Sequence, residues 1–297
     1  MYPWRMLLVN MLVDGTWRAG ITDGSRVIDA AVVHDFGDGL GTVKRLLESG
    51  PEEVEATLKR ATARLQAGSG GVTPLSGARL GPPIPDPDKL LCLGYNYAEH
   101  ASESDIAVPV APNIFAKFRN CIIGPSDEVV LPAVSESIDY EGELAVVIGR
   151  RCRKVSEADA LQYVGGYTIL NDVTARDLQF RTTQYTAGKA LDTFAPMGPG
   201  VVPAREVPDP QALHIRTRLN GDLVQDGSTG EMVFSVVQTI SFLSQLMTLE
   251  PGDIIATGTP VGVGYKRNPP LFLKAGDVVE VTIDGIGSIS NPVVSAR

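Results

Sequence analysis

The run Leu144-Ala145-Val146-Val147-Ile148 is stopped by Gly149 and entered through Asp139-Tyr140-Glu141-Gly142-Glu143. A short apolar run bounded by glycine reads as a buried strand. Side chains alternate across a strand, so Glu141 and Glu143 point to the same side. Two like charges at the edge of a core repel one another and carry a desolvation cost. A bound cation turns that cost into a gain. Asp172 ends the next strong strand, Tyr163 to Leu170, and supplies a third carboxylate. Three oxygen donors suit a hard divalent ion such as Mg²⁺, Mn²⁺ or Ca²⁺ and leave room for substrate and water. The alternative is a solvated pair of glutamates on a half-exposed strand, since short carboxylate motifs have many false positives.

The neighbouring residues extend this reading. Val173 to Gln179 reads as a helical turn in which Asp172, Arg176 and Gln179, spaced i, i+4, i+7, share one face. An arginine there suits bidentate recognition of a substrate carboxylate; the alternative is an intrahelical Asp-Arg pair. Lys189, in the turn Ala187-Gly188-Lys189-Ala190, could stabilise a developing enolate or be an ordinary surface lysine. Upstream, His100 and Glu103 are one helical turn apart, the spacing at which a carboxylate orients an imidazole to activate water. The other two histidines, His34 and His214, have no such partner nearby in sequence and read as structural.

Six blocks in order carry a resemblance. They are Gly94-x-Asn96-Tyr97-x-x-His100-x-x-Glu103, Phe115-x-Lys117, Asp139-Tyr140-Glu141-Gly142-Glu143-Leu144, Asn171-Asp172-x-Thr174-Ala175-Arg176-Asp177-x-Gln179, Gly188-Lys189-x-x-Asp192-Thr193, and Thr257-Gly258-Thr259-Pro260-x-Gly262-Val263-Gly264. Over about residues 85 to 295 the chain resembles the fumarylacetoacetate hydrolase family, in its acylpyruvate hydrolase and oxaloacetate decarboxylase-like branch. The resemblance implies Glu141, Glu143 and Asp172 as metal ligands for Mg²⁺ or Mn²⁺, with Ca²⁺ as a further option. It implies Arg176, Gln179, Lys117 and Thr259 on the substrate side, and Lys189 with the His100–Glu103 dyad as catalytic groups. Tyr95 stands where several relatives carry a basic residue, which suggests a pocket suited to something less charged.

The resemblance further implies an α+β, β-rich fold, with a mixed β-roll or sandwich main domain and a homodimer packed through it. The activity it suggests is metal-dependent hydrolysis of a C–C bond in a 2,4-diketo acid of the acylpyruvate type. Decarboxylation of oxaloacetate and isomerisation of a 2-hydroxy-diene dioate from aromatic catabolism are the alternatives. A binding protein that has lost the chemistry is disfavoured by the intact constellation.

Organisation along the chain follows from its punctuation. A small α/β unit occupies residues 1–70, with strands to about Val33 and a helix from Thr42 to Leu65 broken near Gly50-Pro51. Gly68-Ser69-Gly70-Gly71 and the proline-rich stretch Pro82 to Pro87 mark a linker over 71–87. The main domain, 88–297, reads as strands with few helices, an order that argues against a doubly wound parallel sheet. Asn220-Gly221 marks a hairpin and Ser235 to Met247 an amphipathic helix. Gly262 and Gly264 lead into Tyr265-Lys266-Arg267 rather than a helix, so no nucleotide loop is met. Lys266 and Arg267 are candidate carboxylate contacts.

A net charge of −9 argues against nucleic acid and anionic membranes as partners; a small keto acid is the ligand that the resemblance implies. Cys92, Cys121 and Cys152 form no paired framework, which points to a reducing compartment. The apolar start, Met6 to Val13, is too short for a signal core and runs into Asp14-Gly15, so it reads as a first strand. A soluble, cytoplasmic protein is the expectation.

Overall fold

The computed structural model describes residues 6–68, 70–99 and 107–296. Strands dominate. The first seven are β1 (Leu7–Val13), β2 (Thr16–Thr22), β3 (Arg26–Asp29), β4 (Val72–Pro74), β5 (Leu80–Gly81), β6 (Leu90–Gly94) and β7 (Asn113–Lys117). Then come β8 (Ile122–Ile123), β9 (Val129–Leu131), β10 (Ile138–Asp139), β11 (Gly142–Ile148), β12 (Val164–Asn171) and β13 (Thr174–Ala175). The last six are β14 (Ala195–Pro203), β15 (His214–Leu219), β16 (Asp222–Ser228), β17 (Ile254–Ala256), β18 (Val278–Ile283) and β19 (Gly287–Ser295). The described α-helices are α1 (Val43–Glu48), α2 (Pro51–Ala67), α3 (Arg176–Gln179), α4 (Thr186–Lys189) and α5 (Val236–Leu246).

Local chemistry sets several boundaries. Pro51 opens α2 and Gly68 closes it in the left-handed region, which breaks the expected Thr42–Leu65 helix where the proline predicts. Ser235 and Gln238 cap the start of α5 reciprocally. Asn220 and Gly221 both adopt positive φ, as a two-residue hairpin between β15 and β16 requires.

The largest sheet runs β4-β3-β2-β1-β14-β12-β11-β17-β6-β7, with β5 beside β1 and β8 beside β14. It mixes antiparallel pairs with two parallel ones, β17 with β6 and β8 with β14. A five-stranded sheet, β16-β15-β18-β19-β9, packs over its centre. All seven residues of β11 are buried, because both faces of the strand are covered. On one face Val147 joins a cluster with Leu46, Leu58 and Leu170 from α1, α2 and β12. On the other, Leu144, Val146 and Ile148 pack with Ile240 and Leu243 of α5 and with Ile215 and Val281 of the second sheet.

The stretch 71–87, expected as a linker, carries β4 and β5, which pair with β3 and β1. Residues 6–68 join the sheet of the main part through β1 and β14, and share a core cluster with it.

Candidate functional site

The antiparallel pairing of β11 with β12 assembles the acidic site. Gly142 lies opposite Asn171 and Glu143 opposite Leu170, so one step beyond the ladder Glu141 faces Asp172. Two hydrogen bonds fix that step: Asp172 N donates to Glu141 O at 2.8 Å, and Glu141 N to Asn171 Oδ1 at 2.9 Å. One oxygen each from Glu141, Glu143 and Asp172 then lies within 4.8 Å of the others. The half-exposed alternative is gone, since Glu143 and Asp172 are fully buried and Glu141 nearly so.

Cations surround the triad. Lys189 Nζ donates to Glu141 Oε2 at 2.7 Å and to Asp172 Oδ2 at 2.6 Å. Burial alone would weaken its charge, but Asp172 and Glu141 more than offset this and hold it protonated, well above the ordinary lysine range. Lys189 is thus a buried ammonium and no surface lysine. Its place depends on Gly188: a Cβ there would lie 2.5 Å from Gln179 N and 2.6 Å from Ala175 O, so only glycine lets α4 sit against α3.

Arg176 does not share a helical face with Asp172, because the chain between them is the short strand β13 and the helix begins at Arg176 itself. The arginine turns instead to Asp139 and Glu141, with Nη2 at 2.8 Å and 2.6 Å from their oxygens. It also donates from Nη1 to Gln179 Oε1 at 3.0 Å and lies under Tyr265, 4.3 Å from the ring centre. Asp139 was not singled out by sequence. It accepts from Arg176 Nε, Tyr140 N, Gly264 N and Tyr265 N, and so ties the 262–267 loop to the site. The signal was present, since 139, 141 and 143 alternate onto one side of the strand path.

Lys117 is fully buried behind Asp172, bonded to Asp172 Oδ1 at 2.5 Å and to Val173 O at 2.9 Å, away from the pocket lining. Thr259 lines the pocket, but its hydroxyl donates to Gly142 O and accepts from Gln225 Nε2. Arg267 is spent on carbonyls of Gly262 and Val224 and on the Tyr140 hydroxyl, and neither it nor Lys266 lines the pocket. His100 and Glu103 lie outside the described residues. His34 and His214 do have carboxylate partners after all, Glu53 at 3.2 Å and Asp226 at 2.8 Å, supplied by a helix and by a neighbouring strand. Neither histidine lines this pocket.

The pocket has a charged floor of Lys189, Arg176 and Glu141, and an aromatic wall of Tyr95, Tyr185 and Phe115. Tyr185 meets Tyr95 edge-on at 6.5 Å and Phe115 at 5.7 Å. Its free volume is about 20 Å³. A larger open groove of about 980 Å³ lies around His34, Phe36 and Arg60. Arg60 pairs there with Glu53 and Arg18 with Asp29, and among the described residues the groove holds no buried carboxylate cluster like the triad, so we place the chemistry at the smaller, buried site.

Whether the triad fits a divalent ion is answered by Glu143. Its Oε2 accepts from Gly258 N at 2.8 Å, while Oε1 is buried without a hydrogen-bond partner among the described residues. Burial first, then the charges of Asp172 and Glu141, push this carboxyl well above the usual range against the pull of Lys189 and Gly258 N. An orphaned buried oxygen beside two further carboxylate oxygens is what an ion held at about 2.0–2.6 Å by oxygen donors would satisfy. The buried acids Asp139, Glu141, Glu143 and Asp172 also outnumber Lys117, Arg176 and Lys189 by one. The donor set fits.

Comparison with known proteins gives a consistent result. The family model for the fumarylacetoacetate (FAA) hydrolase C-terminal domain matches residues 89–294. The chain is 46% identical over 255 residues to the human protein named oxaloacetate tautomerase FAHD2A, mitochondrial, covering 85% of this chain and 80% of that one. It is 45% identical to the bovine protein named oxaloacetate tautomerase FAHD2B, mitochondrial, over 98% of each. Among solved structures, a fumarylacetoacetate hydrolase from Exiguobacterium antarcticum superposes with a TM-score of 0.85 at 37% identity, over 98% of this chain and 100% of that one. A probable 2-hydroxyhepta-2,4-diene-1,7-dioate isomerase from Mycobacterium abscessus gives 0.80 at 30%, over 99% of each.

Proposed function

The chain belongs to the fumarylacetoacetate hydrolase family, and from that premise we propose that it is an enzyme interconverting the keto and enol forms of a short 2-oxo dicarboxylic acid such as oxaloacetate, with Mg²⁺ or Mn²⁺ held by Glu141, Glu143 and Asp172. The observation that carries this reading is Lys189, a buried ammonium bridging two triad carboxylates at the floor of the pocket. In the keto-to-enol direction a proton passes from C3 to solvent and another returns from solvent to the C2 oxygen, and no bond between heavy atoms breaks. The barrier is the negative charge that collects on that oxygen in between.

When bound, the ion would polarise the 2-oxo group as a Lewis acid. Lys189 has three N–H donors, two of them engaged by Glu141 and Asp172, and the third serves the enolate oxygen. Because its charge is held up by those carboxylates, it acts as a hydrogen-bond donor and not as the base. Arg176, oriented by Asp139, and Gln179, oriented by Arg176, offer their remaining N–H groups to a substrate carboxylate.

The relatives named oxaloacetate tautomerase and the neighbour named as a diene-dioate isomerase support a proton shift in a diacid over bond cleavage. The hydrolase expected from sequence stands as the second reading, on the strength of His100-x-x-Glu103 and of a neighbour named maleylpyruvate hydrolase from Sphingobium, 33% identical. The relatives' names carry a mitochondrial location, so they lend nothing to a cytoplasmic one. Among the described residues no helix is long and apolar enough to cross a membrane.

Product analysis of the metal-loaded protein tests the choice. Faster loss of the enol absorbance of oxaloacetate, with no carbon dioxide released, is the expected result. Acetate and pyruvate from acetylpyruvate would transfer the assignment to the hydrolase, and pyruvate with carbon dioxide from oxaloacetate to a decarboxylase.

A further inference from the structure

Tyr95 lines this pocket in an unusual conformation. It follows β6 with φ at +56°, a left-handed backbone that bulky residues seldom adopt. Strain of this kind persists where the surroundings over-determine it, and it clusters at ligand-binding sites. Here it carries a nearly buried ring into the pocket wall, edge-on to Tyr185. Gly94 makes the seat: a Cβ there would stand 3.0 Å from Asn113 Nδ2 and 3.5 Å from the Tyr185 ring.

The opposite side of the pocket cannot retreat. Lys189, Glu141, Arg176 and Asp139 are cross-linked by ion pairs of 2.6 to 2.8 Å. The free volume of about 20 Å³ is close to that of one water, and with the charged side held fast the room for a ligand comes from the aromatic side. The bulk standing on that side therefore decides how long a ligand can be.

We propose that Tyr95, braced by Tyr185, is the specificity-determining residue of this site, limiting it to four-carbon 2-oxo diacids by filling the space where a longer chain would lie. The inference rests on the tautomerase reading. It is tested on oxaloacetate, 2-oxoglutarate and 2-oxoadipate, with each variant's rate on an acid divided by the wild-type rate on the same acid, so that the greater acidity of oxaloacetate C3, which lies between two carbonyl carbons, cancels. Solvent-deuterium exchange at C3 is followed by NMR with metal-loaded wild type, Y95F, Y95A and Y95G.

Wild-type exchange should fall by about tenfold or more for each added methylene. Y95A should flatten that preference by about tenfold or more, while Y95F, which keeps the ring, should retain it. Y95G is the second opening variant, because glycine accepts the left-handed backbone and guards against a folding failure of Y95A. A folded Y95A or Y95G that slows all three acids by one common factor would show a merely structural tyrosine and overturn the proposal. A wild type that exchanges none of the acids would instead defeat the tautomerase reading, and the length filter with it.

Discussion

At the scale of single residues, the site is a set of buried charges that need one another, and removing one has a sign that can be worked out. At Glu143, burial and the two acidic neighbours all penalise the charged form. Glu143→Gln keeps the shape and removes the charge, so without added metal its melting temperature should equal or exceed that of wild type. The rise that Mg²⁺ or Mn²⁺ gives wild type, about 2.7 kcal/mol at a hundredfold excess over Kd, should vanish in thermal scans. A surviving metal-induced rise would take Glu143 out of the ligand set. Lys189→Met behaves oppositely, since it strands Glu141 and Asp172 oxygens without their donor. Stability should drop by about 3–5 kcal/mol and turnover by about 10²–10³-fold, measured by denaturant titration and C3 exchange. The Glu141–Glu143 pair was legible because alternation along a strand is local. Asp139 and the burial of Lys117 were not, because their meaning lies in partners 37 and 55 residues away.

Elements are where local reading did well and where it failed for identifiable reasons. The buried strands β11 and β12, the capped helix α5 and the Asn220-Gly221 hairpin all follow from apolar runs and turn chemistry. The helical face drawn through Asp172, Arg176 and Gln179 failed because β13 pairs with β10, and that long-range pairing overrides a local helical spacing. Asp172 and Arg176 both reach the site, but through two separate ladders. The helix α4 adds a prediction of its own. In Gly188→Ala the new Cβ must push α4 away from the Gln179 and Ala175 backbone, and Lys189 moves with it. We expect a loss of about 1–3 kcal/mol in stability from overpacking. Exchange should fall by about 100-fold, out of proportion to that loss, because a displacement of about 1 Å is enough. Wild-type exchange in a folded G188A would mean that the position of Lys189 does not matter.

For the whole molecule, the sequence's clearest punctuation, Gly68-Ser69-Gly70-Gly71, suggests a small domain set apart, while the packing binds that part into the rest. Interiors this dense leave the thiols inert: Cys92, Cys121 and Cys152 are buried and free, and burial pushes the Cys152 thiol up to about 11. Thiolate at neutral pH is therefore scarce, and a disulfide reagent at pH 8 should titrate these thiols only once denaturant is added. The same packing governs what truncation does. Leu8, Ile21, Leu46, Leu47 and Leu58 share one cluster with Val147, Leu170 and Ile254, and β1 hydrogen-bonds to β14 across the supposed boundary. Each large apolar side chain uncovered costs about 1.5–3 kcal/mol. A handful of them already matches the about 5–15 kcal/mol that holds a typical domain together. Calorimetry of the full chain should therefore show one cooperative transition, and residues 88–297 expressed alone should lack any. Two separate transitions, or a folded and active 88–297 fragment, would show instead that the glycine-rich stretch divides two domains and that the shared cluster contributes little.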